Sequence, residues 1–72
     1  MYNLYFEDRF GKSRLVKRDI GTNDEDIYNA IKAYVAELNP KYRIYYTRSW
    51  EKDNVRWYDV GSHSEFFKLI EE

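Results

Sequence analysis

The chain contains no cysteine. Neither a disulfide nor a thiolate metal site can staple it, so its stability must come from packing. Its single histidine, His63, leaves no second imidazole for a metal centre. Its place at a predicted helix start reads as polar surface. There is no glycine-rich phosphate loop and no G-x-S-x-G turn. Charge of one sign is not in excess either, with 12 Lys and Arg against 13 Asp and Glu and a net charge of −1. A general nucleic-acid binder carries a basic excess, because phosphate contacts dominate its affinity. A DNA mimic carries an acidic one, and this balance argues against both. No apolar run reaches membrane-spanning length. The opening "MYNLYFEDRF" alternates like a strand rather than reading as a signal peptide. These absences lead to the expectation of an intracellular, cytoplasmic protein with no cofactor, no bound metal, no membrane contact and no enzymatic activity.

What the chain has is rings and patterned charge. Aromatics make up 19% of its 72 residues, and eight of them are tyrosine. A single domain over residues 1–72 is expected, since this length suffices for one core and not two. A chain so short buries only about 60% of its unfolded surface, and large rings help fill such a core.

Tyr2, Leu4 and Phe6 alternate with Asn3, Tyr5 and Glu7, which predicts a strand. Gly11-Lys12 supplies a turn, and "RLVKRDI" returns as a second strand with Val16 and Ile20 on one face. Pairing Phe6 with Val16 leaves an odd-length loop, so a bulge is expected near Gly11. After Gly21, residues Ile27, Ala30, Ile31, Tyr34, Val35 and Leu38 form one apolar helical stripe. Thr22 with Glu25 fits a capping box, Asp24, Glu25 and Asp26 suit the helix dipole, and Asn39-Pro40 ends the helix. A third strand is predicted over about residues 42–50 and a fourth over about 55–60, joined by "EKDN". Ser62 and Glu65 then fit a capping box for a short C-terminal helix carrying Phe66, Phe67, Leu69 and Ile70. The resulting order is ββαββα. It describes an α+β two-layer sandwich, a mostly antiparallel four-stranded sheet with one long helix on one face and a short C-terminal helix. The strand order stays open.

Placing Trp50 opposite Val55 sorts the second hairpin into two faces. Tyr42, Ile44, Tyr46, Arg48, Trp50, Val55, Trp57 and Asp59 form the more apolar one, expected to meet the long helix. Arg48 then lies opposite Trp57 as a cation–π pair. The other face interleaves Arg43, Tyr45, Thr47, Arg56 and Tyr58. Arginine and tyrosine are enriched at protein interfaces, and the same pair can stack bases and grip phosphate. This face is the expected partner-binding surface, for a protein first and for nucleic acid second. An open sheet edge also allows a homodimer. Asp53, Asp59 and Glu65 are the carboxylates that a metal-dependent nuclease would need to bring together.

The segment "TRSWEKDNVRWYDVGSHSEFF", residues 47–67, contains Trp57, Asp59, Val60, Gly61, Ser62, Ser64, Phe66 and Phe67. These fit a W-x-D-[VF]-G-S-x-[ST]-x-F-[FY] pattern. In this it resembles small uncharacterised phage and prophage proteins of Gram-positive hosts such as streptococci and lactococci. The resemblance covers under a third of the chain. It implies a short phage accessory protein that binds and inhibits a host or defence protein, of the anti-CRISPR or wider anti-defence class, in the host cytoplasm. No catalytic residue comes with it.

Overall fold

The computed structural model describes residues 1–44, 47–62 and 64–72. Among these residues the chain forms a five-stranded antiparallel sheet and one helix. The strands are β1 (Tyr2–Glu7), β2 (Ser13–Lys17), β3 (Arg48–Lys52), β4 (Val55–Asp59) and β5 (Phe66–Glu71), and the helix α1 spans Asp24–Leu38. The spatial order is β2-β1-β5-β4-β3, so the strand last in sequence sits at the centre.

The first hairpin closes on side-chain chemistry. Asp8 Oδ1 accepts hydrogen bonds from the backbone N–H groups of Phe10 (2.9 Å) and Lys12 (3.0 Å). Gly11 takes a φ of +82°, where a Cβ would be strained. Phe6 pairs with Arg14 rather than Val16. One irregularity falls between Leu4 and Tyr5, opposite Leu15 and Lys17, with the extra residue at Val16. The other is at Gly11, as expected: the Gly11 N–H donates to the Asp8 carbonyl and the Asp8 N–H to the Lys12 carbonyl, so Arg9-Phe10-Gly11 is a three-residue loop with the bulge at the left-handed glycine.

Helix α1 forms where the apolar stripe predicts it, but its cap is Asn23. The Asn23 carboxamide oxygen accepts from the N–H groups of Glu25 and Asp26, the role assigned to Thr22 in the capping-box reading. The acidic residues of the first turn are Asp24, Glu25 and Asp26. Ile27 and Ile31 are fully buried against the sheet.

The C-terminal helix does not form; residues 66–71 are β5. The hydroxyl of Ser62 does accept from the N–H groups of Ser64 and Glu65, as a helix cap would. Here it closes a turn between two strands. "FFKLIE" has the period of a strand, with Phe67 and Leu69 on one side and Phe66, Lys68 and Ile70 on the other. Strand β5 pairs with β1 along its length and with β4 through Leu69, Lys68 and Phe67. The sheet therefore has five strands instead of four.

The third strand starts at Arg48, later than predicted. Asp53 and Asn54 both adopt positive φ (55° and 64°), giving a two-residue primed turn that matches the sheet twist. Lys52 thus opposes Val55 and Trp50 opposes Trp57. The Trp50–Val55 pairing is corrected accordingly.

The helix covers the opposite face of this hairpin from the one expected. The core is Leu4, Ile27, Ile31, Tyr58, Val60, Phe67 and Leu69. Directly opposed residues share a face, so Tyr58 lies with Phe67 and Phe6 on the helix side. The tryptophan face is the more apolar within the hairpin alone. Across the whole sheet it continues into Lys68, Glu7, Tyr5 and Asn3. The Tyr58 face continues into Phe67, Leu69, Leu4 and Phe6. The central strands decide which side is cheaper to bury.

Candidate functional site

The Arg/Tyr face of the sequence reading does not form as one surface. Tyr58 is fully buried. Its hydroxyl donates to Asp24 Oδ1 (3.2 Å) at the start of α1, and Arg56 donates to the same carboxylate oxygen (3.3 Å) and to the Thr22 carbonyl (3.4 Å). Arg56 and Tyr58 thereby strap the helix N-terminus to β4. Arg43 and Thr47 are exposed, outside any strand. Tyr45 and His63 lie outside the described residues.

The uncovered surface is the far side of the sheet. Along one row Trp50 opposes Trp57, Trp57 opposes Lys68, and Lys68 opposes Tyr5. Phe66 belongs to the same face, one rung away. Its ring meets Trp50 edge-on at 5.9 Å and Trp57 edge-on at 6.2 Å. Trp50 is 36% exposed, while Trp57 and Phe66 are half-buried.

Two cations flank these rings. The Arg48 guanidinium sits 5.5 Å from the Trp50 ring centroid and donates to Asp59 Oδ2 at 2.8 Å. Its aromatic partner is thus Trp50 and not Trp57. Asp59 is 1% exposed and also accepts from the N–H of Gly61 at 2.9 Å. Lys68 Nζ lies 5.7 Å from the Trp57 centroid and 3.0 Å from Glu7 Oε1. Both cations are held by a carboxylate on one side and an aromatic face on the other, which fixes long side chains that would otherwise be free. The Trp57 indole N–H is buried and has no acceptor among the described residues. A buried donor left unpaired costs roughly 1–3 kcal/mol.

The second hairpin taken alone makes these tryptophans core; its pairing with β5 puts Tyr58 there instead. The missing signal was the alternation in "FFKLIE", which makes β5 the partner of β4.

Residues 57–67 of the W-x-D-[VF]-G-S-x-[ST]-x-F-[FY] pattern also have a structural role. Asp59 and Ser62 close the β4–β5 connection through the N–H groups of Gly61, Ser64 and Glu65. Gly61 takes a φ of +106°. Phe66 and Phe67 then point to opposite faces.

The three carboxylates considered for metal chemistry do not converge. Asp53 is in the β3–β4 turn, whereas Asp59 and Glu65 flank the connection at the other end of β4. Among the described residues no group of three or more His, Cys, Asp or Glu is placed to hold a metal ion, and no helix is long and apolar enough to cross a membrane.

Ionisation is also coupled to the fold. Hydrogen bonds from Tyr5 and Asn3 hold the Glu72 carboxyl below its ordinary value. The Lys12 and Phe10 N–H groups do the same for Asp8. Burial pushes the Tyr58 hydroxyl up, and the hydrogen bond to Glu72 raises Tyr5. A lowered carboxyl stabilises the fold above its unfolded pKa and loses that effect as pH falls. A raised tyrosine stabilises below its unfolded pKa and loses that effect as pH rises. The urea midpoint should therefore hold level between about pH 5 and 9 and fall on both sides. A midpoint unchanged down to about pH 3 would remove Glu72 and Asp8 from this account.

No family model, curated protein or solved structure matches the chain.

Proposed function

We propose that the protein is a non-enzymatic binding module whose helix-free sheet face contacts a protein partner. The observation that carries this reading is the Trp50–Phe66–Trp57 cluster, left uncovered by the only helix among the described residues and flanked by Arg48 and Lys68. Trp, Tyr and Arg are the residue types that dominate binding energy at protein interfaces. The rings and cations are already held in place, so little rotamer freedom is lost on binding. The resemblance over residues 47–67 supplies the class of target, a host or defence protein that binding would inhibit, which would place the protein in a host cytoplasm.

The test is recovery of a partner by tagged protein from a Gram-positive host lysate treated with nuclease, compared with Trp50→Ala. Trp50 lies on the edge strand β3, and its replacement should leave the circular dichroism spectrum unchanged. Loss of a central aromatic anchor costs about 2 kcal/mol or more, a drop of roughly thirtyfold in affinity. A partner retained equally by Trp50→Ala would show that this face is not the contact. Recovery abolished by nuclease would shift the assignment to nucleic acid, for which the same rings and cations would stack bases and grip phosphate.

A further inference from the structure

Net charge conceals a segregation. Residues 9–18, "RFGKSRLVKR", hold five cations and no acid, in a chain whose net charge is −1. Arg9, Lys12, Arg14, Lys17 and Arg18 all lie in the first hairpin or directly beside it. None is in an ion pair among the described residues, unlike Arg48, Arg56 and Lys68. Lys17 shares a shallow depression with Asp19, Asp26 and Glu37 but forms no salt bridge with them. All five cations are exposed.

Strand β2 is an edge of the sheet, hydrogen-bonded only to β1, so its outer backbone groups are unpaired within the sheet. Its two sides differ in chemistry. Arg14 opposes Phe6 and Lys17 opposes Leu4, so both lie on the helix side, an arrangement produced by the irregularity at Val16. Leu15 opposes Tyr5 on the far side and is 44% exposed. Beside Arg14 a groove of about 440 Å³ opens, of mixed charge, with Arg9, Phe10, Asp8 and Glu65 on its walls.

We propose that the β2 edge is a second binding site, one that takes an extended acidic segment of another protein as a sixth strand. Main-chain hydrogen bonds would supply the docking. Carboxylates on one side of the incoming strand would meet Arg14 and Lys17, with Lys12 and Arg18 beyond the strand ends. Apolar residues on its other side would cover Leu15. The fitting sequence therefore alternates acidic and apolar residues with the period of a strand. The same cations repel a second copy of β2, so the edge rejects its own kind while admitting an acidic partner. This site lies apart from the tryptophan face and does not depend on its role.

The probe is a fluorescent peptide of alternating glutamate and valine, followed by anisotropy. Binding is expected, weakening as salt rises. Reversing two contact charges with Arg14→Glu and Lys17→Glu together should reduce affinity about tenfold or more. Both side chains are exposed, and an unchanged circular dichroism spectrum would show that the fold is retained. A peptide of equal charge interrupted by proline should bind at least about tenfold more weakly, since proline cannot complete the ladder. The Trp50→Ala protein should bind the probe as well as the parent. Absence of binding, equal binding by the charge-reversed protein, or equal binding of the proline peptide would each overturn the proposal. Tighter binding of an oligothymidylate than of the peptide would overturn it in favour of a phosphate-binding edge.

Discussion

Tyr58→Ala should remove a large share of the fold's stability. The ring is fully buried and meets Tyr28 edge-on at 5.6 Å. Removing a buried aromatic side chain costs about 3–5 kcal/mol. A domain of this length has roughly 4–11 kcal/mol in total, at about 0.05–0.15 kcal/mol per residue. Tyr58→Phe should be far milder. It keeps the packing and removes only the hydroxyl that links Asp24 and Arg56. Both of those partners can turn to water, because the Asp24 side chain is 64% exposed and that of Arg56 is 30% exposed. The expected loss is about 1 kcal/mol. Urea denaturation followed by circular dichroism would resolve the two variants. Equal losses would place the stabilisation in the hydrogen bonds rather than the ring. A fully stable Tyr58→Ala protein would return Tyr58 to the surface, where the hairpin taken alone had put it.

The second large effect separates two adjacent phenylalanines. Phe67 is 1% exposed, and its ring meets Phe6 at a tilt at 5.2 Å and Tyr34 edge-on at 5.9 Å. It stands where β1, β4 and the helix converge, and Phe67→Ala should cost about 3–5 kcal/mol. Phe66→Ala removes a half-buried ring from the opposite face. Its cost should stay near the ordinary value for a single substitution, about 1 kcal/mol. Its effect should appear in tryptophan fluorescence, because Phe66 is the ring that both Trp50 and Trp57 contact. The pair of variants is a direct reading of the strand at residues 66–71. On a helix, neighbouring residues would sit about 100° apart and the two costs would be closer. Similar losses for both would contradict the alternation.

These two residues also mark what could be read from the sequence. Helix α1 was legible because six apolar residues repeat at helical spacing over residues 27–38 of the 15-residue helix, far longer than any competing pattern. Strand β1 was legible from strict alternation. Strand β5 was not, because Ser62 and Glu65 carry the side chains of a helix cap and a serine hydroxyl closes strand-connecting turns equally well. The Asp53-Asn54 turn had a local signal, since both residue types tolerate positive φ, but "EKDN" as a four-residue loop gave the same face assignment within the hairpin. The candidate site was hidden for a different reason. Which side of Trp57 is covered depends on Lys68, Glu7 and Leu4, residues distant in sequence that only the strand order brings alongside. Tyr58 looked like surface for the same reason. The charge on β2 was visible in the sequence but averaged away in the net total.

The position of β5 also governs how the fold can be reached. The two hairpins, β1–β2 and β3–β4, share no strand pairing, and β5 is the strand that joins them. Each hairpin can close locally, yet neither half of the sheet is continuous with the other until residues 66–71 slot between them. That step pairs Tyr2 with Glu71 and carries nearly the largest loop-closure entropy the chain allows. Assembly is accordingly dominated by a non-local event, which makes for slow folding relative to helical domains of this size. During synthesis it leaves two unpaired central edges waiting for the final strand.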